Sequence, residues 1–118
     1  NCSYLNKMTD IQEKDISYSG KRLMIEHDNN EVARISVVFI KNDLHDQPYA
    51  LIEDLFVNEN YQGQGYARKL FERAIEVAKE SGSYKIVANS RYNREIVHEF
   101  YLKLGFNDYG KEFRLDLK

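Results

Sequence analysis

The sequence predicts an α/β protein built on a mixed, mostly antiparallel central sheet. Three observations lead to this prediction. The first half is rich in β-branched runs, the apolar residues after position 66 recur at three- and four-residue steps, and the chain has a single Pro. The change of period marks a switch from strands to helices. A length of 118 residues fits one domain. We therefore expect residues 1–118 to form one unit, with 1–21 as a poorly defined N-terminal segment.

Three main strands are predicted in the first half. Leu23–Glu26 and Val32–Ile40 flank Asp28–Asn30, whose residue types tolerate the left-handed conformations of a hairpin turn. Ala50–Val57 is apolar apart from two carboxylates and is predicted to be the third strand. Cys2–Met8 is a candidate short strand ahead of them. The three main strands therefore form a meander.

A first helix is predicted after the meander. Its apolar face consists of Ala67, Leu70, Phe71, Ala74, Ile75 and Ala78. The helix is expected to end at Ser81–Gly82, because Gly is common just past a helix end. Tyr84–Ala88 has the composition of a buried strand. A strand, a helix and a strand in this order predict a parallel strand pair joined by a right-handed crossover.

A second helix and a C-terminal hairpin complete the predicted order. Ile96, Val97, Phe100, Tyr101 and Leu104 share one helical face, which ends at a glycine, Gly105. Two strands, Phe106–Tyr109 and Glu112–Leu117, are predicted to pair around Gly110. The predicted order is therefore β-β-β-α-β-α-β-β.

Composition and charge exclude several classes of function. The net charge of −2 provides no global basic field for nucleic acid or anionic lipid. No apolar run approaches the roughly 18 residues that span a bilayer. The three histidines and the single Cys2 show no metal-ligand spacing. One cysteine cannot form an internal disulfide and no signal-peptide pattern opens the chain, so we expect a cytoplasmic protein without a metal.

A glycine-rich loop lies between the third strand and the first helix. Gly63 and Gly65 allow the backbone to bend tightly and to approach a ligand closely. The first N–H groups of a helix have no intrahelical partner, so this position suits a diphosphate. A glycine-rich turn without a ligand is the alternative. A dinucleotide-binding motif would need a third glycine where Arg68 stands, and the Gly-Lys-Ser/Thr of a P-loop is absent.

At this loop the chain resembles the GCN5-related N-acetyltransferase (GNAT) family. Gln62, Gly65 and Ala67 match the family signature Gln/Arg-x-x-Gly-x-Gly/Ala. A second family signature, an Asn at a helix start followed by Phe-Tyr-x-x-x-Gly-Phe, is matched from Asn93 to Phe106. The two motifs occur in the right order, with a helix and a strand between them. The resemblance covers roughly residues 23–117.

The resemblance implies transfer of an acetyl group from acetyl-CoA to a primary amine by direct attack. The diphosphate of CoA would lie on the backbone of Gln62, Gly63, Gln64, Gly65, Tyr66, Ala67 and Arg68. The pantetheine arm would run beside the end of the third strand, at Leu55, Phe56 and Val57. Asn93 would contact pantetheine or cap its helix. Tyr101 would be the general acid, although its spacing alone also fits a core aromatic residue.

Glu53 is the candidate base or water-orienting group. A carboxylate within a mostly apolar strand is costly to bury unless it is paired or functional. Because strand side chains alternate, Asp54 is expected on the opposite face. The alternative is that these carboxylates face solvent or pair with Lys or Arg. His98 lies one turn before Tyr101 and is expected to be a structural histidine.

The acceptor amine is not specified by the sequence. The stretch before Leu23 is too short for the first strand and two helices that normally help to form the acceptor pocket in this family, so these helices are expected to be shortened, absent, or cut from this chain. A non-catalytic acyl-CoA-binding or regulatory domain of the same fold is therefore an alternative, and a plain interaction domain is a third. Dimers are common in families of this kind, so a homodimer is one expected assembly.

Overall fold

A computed structural model of the chain describes residues 10–90 and 95–118, with the backbone alone described at positions 95 and 96. Its elements are β1 (Ser19–His27), β2 (Asn30–Ile40), β3 (Tyr49–Val57), a 3-10 turn (Glu59–Tyr61), α1 (Tyr66–Glu80), β4 (Ile86–Ala88) and α2 (Glu95–Lys103). The candidate strand at Cys2–Met8 lies outside the described residues. The other elements agree in type and order with the predictions as far as residue 105.

The strands form one mixed sheet in the order β1-β2-β3-β4. Antiparallel pairing joins β1 to β2 and β2 to β3, whereas β3 and β4 are parallel. The predicted hairpin turn is confirmed. Asp28 and Asn29 have φ of 51° and 65°, and the flanking His27 and Asn30 face each other in the ladder. Two left-handed residues match the twist of the paired strands, and Asp and Asn adopt this conformation at lower cost than most residues.

The core lies between one face of the sheet and α1. The helix contributes the buried residues Leu70, Phe71, Ala74, Val77 and Ala78, and the strands contribute Val32, Ala33, Ile35, Val37, Ala50 and Ile52. Four residues of the predicted helical face are therefore confirmed as buried, whereas Ala67 and Ile75 are half-buried and Val77, which was not predicted, is buried. The helix ends as predicted, because Ser81 donates from Oγ to the carbonyl of Ala78 and Gly82 has a φ of 80°. Among the helices that the structure describes, none has the length and apolar composition to cross a membrane.

The second helix packs on the first through aromatic rings. The ring of Phe71 lies 5.5 Å from that of Phe100, 5.3 Å from that of Tyr101 and 6.0 Å from that of Phe106. The helix ends at Gly105 as predicted, with a φ of 96° and a bond from the N–H of Phe106 to the carbonyl of Tyr101. This aromatic cluster connects α2 to the core through a single fully buried ring, that of Phe71.

The predicted hairpin of Phe106–Tyr109 and Glu112–Leu117 is wrong. Phe106 packs against the core, but residues 107–118 carry no strand assignment and no sheet pairing. Three apolar side chains of this tail are between 84% and 90% exposed: Phe113, Leu115 and Leu117. Alternating apolar residues favour an extended backbone, but a two-stranded hairpin without a surface to cover is marginal in water. The order over the described residues is therefore β-β-β-α-β-α.

Candidate functional site

The loop between β3 and α1 has two glycines in the left-handed region. Gly63 has a φ of 78° and Gly65 a φ of 82°, a conformation that residues with a side chain rarely adopt. A Cβ atom built at either position would meet no heavy atom within 4 Å. Residues 62–65 are all exposed. The glycines are therefore required by the backbone conformation, and the space in front of them is open.

The first turn of α1 leaves its backbone donors available. The carbonyl of Gly65, the cap residue, accepts from the N–H of Lys69 at 3.0 Å, but glycine has no side chain to cap the helix. Because the helix begins at Tyr66, the N–H groups of Tyr66, Ala67 and Arg68 have no acceptor within it. Exposed, unpaired N–H groups at the positive end of a helix dipole form an anion site. The loop therefore has the geometry and polarity to hold a phosphate group.

Two amide side chains hold the loop against the end of β3. Asn58 accepts from the N–H of Asn60 at 3.0 Å and caps the 3-10 turn. Gln62 donates from Nε2 to the carbonyl of Val57 at 3.1 Å. The side chain of Gln62 therefore points back to the strand, which leaves its backbone as the part that faces the open side of the loop. Arg68, another predicted binding residue, pairs with Glu72 at 2.8 Å on the surface of α1.

His27, which the sequence did not connect to the glycine loop, contacts the first residue of α1. Nε2 of His27, at the end of β1, lies 2.7 Å from the hydroxyl oxygen of Tyr66, the first residue of α1. The ring of His27 is 5.1 Å from that of Tyr61 and 5.8 Å from that of Tyr66. These three rings connect the β1–β2 hairpin to the loop. His27 and Tyr66 are 39 positions apart, so no local pattern indicates their contact.

A cleft opens where β3 leaves β4. Their parallel pairing ends at Ile52 and Ala88, and the pairing of β3 with β2 shifts register directly afterwards. Asp54 lies in this bulge with a φ of 56°. The cleft has a volume of about 600 Å³ and is lined by Ile52, Glu53, Asp54, Leu55, Asn89, Ser90, Val97, Tyr101, Glu112 and Arg114. A bulge re-aims a strand, so the backbone of β3 beyond Ile52 has no partner from β4.

The two carboxylates of β3 differ in their partners. The side chain of Glu53 is exposed in the cleft and makes no hydrogen bond or ion pair with any residue of the described ranges. Asp54 is bound by Arg34, with distances of 2.8 Å from Nε and 3.2 Å from a terminal nitrogen. The hydrogen bond from Arg34 lowers the pKa of Asp54 from its ordinary value of 3.8. Desolvation opposes this shift, and the positive charges of Arg34 and Arg22 add to it. Asp54 therefore stays ionised.

The expectation that Asp54 points away from Glu53 is wrong: Glu53 faces Ser36 in the ladder, and Asp54 bonds to Arg34, which lies on the same strand face as Ser36. Strict alternation of side chains holds only in a regular strand, and the bulge at this point inserts a residue. The alternative of pairing with Arg is confirmed for Asp54. Glu53 is exposed, so the argument from costly burial does not apply to it.

Tyr101 packs as a core aromatic residue and also reaches the cleft. Its ring packs against the core, 5.3 Å from the ring of Phe71 and 5.7 Å from that of Phe106. The same residue lines the cleft, and its hydroxyl donates to the carbonyl of Asn89 at 3.5 Å. Packing on one side therefore presents a phenol on the other. His98 is half-buried and is not among the cleft residues, and Asn93 lies outside the described part of the chain.

The predicted binding strand lies between the loop and the cleft. Leu55 lines the cleft, Phe56 packs its ring under the guanidinium of Arg34 at 4.6 Å, and the carbonyl of Val57 accepts from Gln62. Val57 thus bonds to the loop, and Leu55, two residues earlier, lines the cleft together with Glu53 and Tyr101. Among the described residues, no group of three or more His, Cys, Asp or Glu could hold a metal ion.

Comparison with known proteins identifies relatives of this architecture. A model of the acetyltransferase (GNAT) family matches residues 3–106. The chain is 36% identical over 66 residues to a glucosamine 6-phosphate N-acetyltransferase of Trypanosoma brucei brucei, which covers 56% of this chain and 43% of that protein. It is 33% identical over 82 residues to N-alpha-acetyltransferase 30 of Schizosaccharomyces pombe, covering 68% and 55%. The chain therefore spans about half the length of the curated relatives that it matches.

A solved structure shares the fold. A putative acetyltransferase from Agrobacterium tumefaciens superposes with a TM-score of 0.75 at 26% identity, covering 82% of this chain and 68% of that one. The family match extends over most of the chain. It includes β3 with its bulge, the glycine loop and the whole of α2, and it ends at Phe106. The predicted fold class is confirmed by the mixed sheet and by these likenesses. This chain belongs to the GNAT acetyltransferase family.

Proposed function

We propose that this chain binds acetyl-CoA and transfers its acetyl group to a primary amine by direct attack. The observation that carries the proposal is the open glycine loop, with first-turn N–H groups that have no acceptor within the helix, beside a β3 edge that β4 no longer covers. Family membership supports the reaction type. Acetyl-CoA would supply an acetyl group activated as a thioester.

The loop fits a diphosphate for three physical reasons. Residues 63–65 and 68 are exposed, and the N–H groups of the first helical turn, from position 66 to position 68, have no acceptor within the helix. Gly63 and Gly65 place no side chain in front of them. The start of a 15-residue helix adds a favourable dipole. These donors would hold the diphosphate, and the free edge of Leu55, Phe56 and Val57 would bind the amide groups of pantetheine, as strands bind an added strand.

Tyr101 would be the general acid. Its ring is fixed by Phe71 and Phe106, which leaves little freedom to the position of the hydroxyl at the cleft. A phenol has an ordinary pKa of about 10, so it carries its proton at neutral pH and can donate it to a leaving thiolate. An acid held by a packed core needs no reordering during the reaction, which favours the rate.

Glu53 would accept the proton of the attacking amine, directly or through a water molecule. An amine attacks only in its neutral form, so a base is required near physiological pH. Glu53 lines the cleft and its carboxylate has no partner in the described residues. Asp54 is unsuited to this role because Arg34 occupies its oxygens and lowers its pKa. The two neighbouring carboxylates therefore have different tasks.

The acceptor belongs to a class with a free primary amine. The two relatives are named as a glucosamine 6-phosphate N-acetyltransferase and an N-alpha-acetyltransferase, and both names indicate acetylation of an amine. We therefore propose an amino sugar or a peptide N-terminus as acceptor. The tail residues Glu112 and Arg114 line the cleft and are placed to contact it.

The proposal is tested by measuring binding and turnover separately. Calorimetric titration with acetyl-CoA reports binding, and thiol detection of released CoA with glucosamine 6-phosphate or a short peptide reports transfer. We expect Glu53→Gln and Tyr101→Phe to bind acetyl-CoA normally and to lose roughly a hundredfold in turnover. Glu99→Gln and Tyr84→Phe are matched controls on exposed positions outside the cleft lining.

Each outcome decides between the alternatives. Binding with transfer to one amine class supports the enzyme. Binding without transfer to any amine supports the non-catalytic acyl-CoA-binding domain and overturns the enzyme. If acetyl-CoA does not bind at all, both interpretations fail and the loop is a plain turn. Full turnover in Tyr101→Phe would remove this tyrosine from the acid role.

A further inference from the structure

The bulge in β3 depends on a residue in an unfavourable backbone conformation. Asp54 has a φ of 56°, and it is neither a glycine nor part of a turn. A non-glycine residue in this region persists only where its surroundings over-determine it. The pairing with β2 passes from Ser36–Glu53 to Arg34–Phe56, so Asp54 lies within the inserted step. Asp tolerates this conformation better than most residues do, so contacts of its side chain can select it within the strand.

Two arginines, one from β2 and one from β1, contact the carboxylate of Asp54. Arg34 of β2 contacts both carboxylate oxygens, at 2.8 Å and 3.2 Å. Arg22 of β1 approaches one of them at 3.8 Å. Glu31 orients both arginines in turn, at 2.7 Å from Arg22 and 3.4 Å from Arg34. The ring of Phe56 supports the guanidinium of Arg34 at 4.6 Å. We call Arg22, Glu31, Arg34 and Asp54 the clamp.

The clamp lies directly behind the cleft. Glu53, Asp54 and Leu55 all line the cleft. The pairing of β3 with β4 stops at Ile52, the residue before Glu53. The bulge sets the backbone conformation of β3 at Glu53, and therefore both the direction of the Glu53 side chain and the separation of β3 from β4 after Ile52. A change in the bulge would move the carboxylate and the free strand edge together. Displacing a reacting group by about 1 Å can cost a hundredfold in rate.

We infer that Arg34 and Arg22 are positioning residues of the transfer reaction, which hold Asp54 in the bulge and thereby aim Glu53 and the free edge of β3 into the cleft. This inference rests on the proposed function. The inference gives a role to the clamp, whose residues belong neither to the glycine loop nor to the proposed acid and base. A network of exposed ion pairs contributes little to stability by itself. In this protein the clamp acts on geometry, because it fixes the backbone conformation of Glu53, Asp54 and Leu55 at the cleft.

The test compares Arg34→Met with Arg73→Met. Arg73 is a matched control, since it also bonds two carboxylates, Glu76 and Glu80, but on the exposed surface of α1. We expect Arg34→Met to lower kcat by roughly tenfold to a hundredfold and also to raise the dissociation constant of acetyl-CoA, because the β3 edge that would bind pantetheine moves with the bulge. Arg73→Met leaves both constants unchanged. Asp54→Asn should lower kcat like Arg34→Met, and the double variant should be no worse than the stronger single one.

Backbone chemical shifts of residues 53–55 provide a readout that does not need activity. We expect the ¹³Cα and ¹³Cβ shifts of these residues to change in Arg34→Met and to stay constant in Arg73→Met. If the chain transfers acetyl to no amine, the proposed function fails, and the shifts still decide whether the clamp holds the bulge. Unchanged shifts in Arg34→Met overturn the inference. So does a kcat that falls no further than in Arg73→Met when the wild-type chain is active.

Discussion

The glycine pair Gly65 and Gly82 allows the loop to be tested with an internal control. They flank α1 with nearly equal φ angles, 82° and 80°. Replacing either by Ala places a side chain in the left-handed region, which costs about 1 kcal/mol or somewhat more. A chain of 118 residues has an unfolding entropy near 0.25 kcal/mol/K at about 2.1 cal/mol/K per residue. Both variants should therefore melt roughly 4 °C below the wild type.

The two variants should separate once acetyl-CoA is added. At a concentration of about 100 times its dissociation constant, a ligand stabilises the native state by roughly 2.7 kcal/mol, or about 11 °C here. Gly82→Ala should keep this increment, since its Cβ meets only the mobile end of Gln47 at 3.1 Å. In Gly65→Ala the Cβ enters the open space in front of the N–H donors. We expect at least a tenfold weaker complex, equal to about 1.4 kcal/mol and roughly 5 °C of the increment.

Differential scanning fluorimetry without and with acetyl-CoA measures both quantities for the three proteins. The apo measurement checks the strain, and the increment checks the binding. Equal increments in Gly65→Ala and Gly82→Ala would refute the assignment of the diphosphate to this loop. Gly65→Glu extends the series, and we expect it to abolish binding because a longer side chain covers the donors.

Three further predictions concern the core, the tail and the clamp. Phe71→Ala should lose about 3–5 kcal/mol of unfolding free energy in urea titrations, since it removes a fully buried ring; a loss below about 1 kcal/mol would contradict the packing. Leu115→Asp should change stability by less than about 0.5 kcal/mol, and a larger loss would mean that the tail is paired in solution. Asp54→Asn should be less stable than the wild type at pH 7. The difference should shrink as pH falls below 3.8 and disappear below the lowered pKa of Asp54, because protonation removes the same charge. Urea titrations from pH 7 down to about pH 2 check this, and a difference that stays constant over the whole range would contradict it.

Much of the architecture was predictable because its signals are local. Helix α1 and its end at Gly82 follow from a 3.6-residue period and a glycine, and the turn at Asp28–Asn29 follows from residue types that tolerate a positive φ. The position of the glycine loop also follows from chain order, since it lies between a strand and a helix. Each of these features depends on interactions within a few residues, which a single sequence contains.

Other features depend on which distant residues meet. The tail shows the limit of local pattern: Phe113, Leu115 and Leu117 alternate like a strand, yet whether they pair depends on a neighbouring strand that the alternation does not specify. The contact of His27 with Tyr66 is of the same kind, because two elements must pack before the two residues approach each other.

The sequence by itself determined the order of the elements as far as Gly105, most of the face that α1 buries and the position of the glycine loop. The tertiary structure alone decided that β3 bulges at Asp54, that Arg34 takes this carboxylate and that Glu53 is left open beside Tyr101. The physical reason is that periodicity reports the environment of one element, whereas a bulge and an ion pair arise from the register between strands. Two adjacent carboxylates with the same local context thus acquire different partners only when the sheet is assembled.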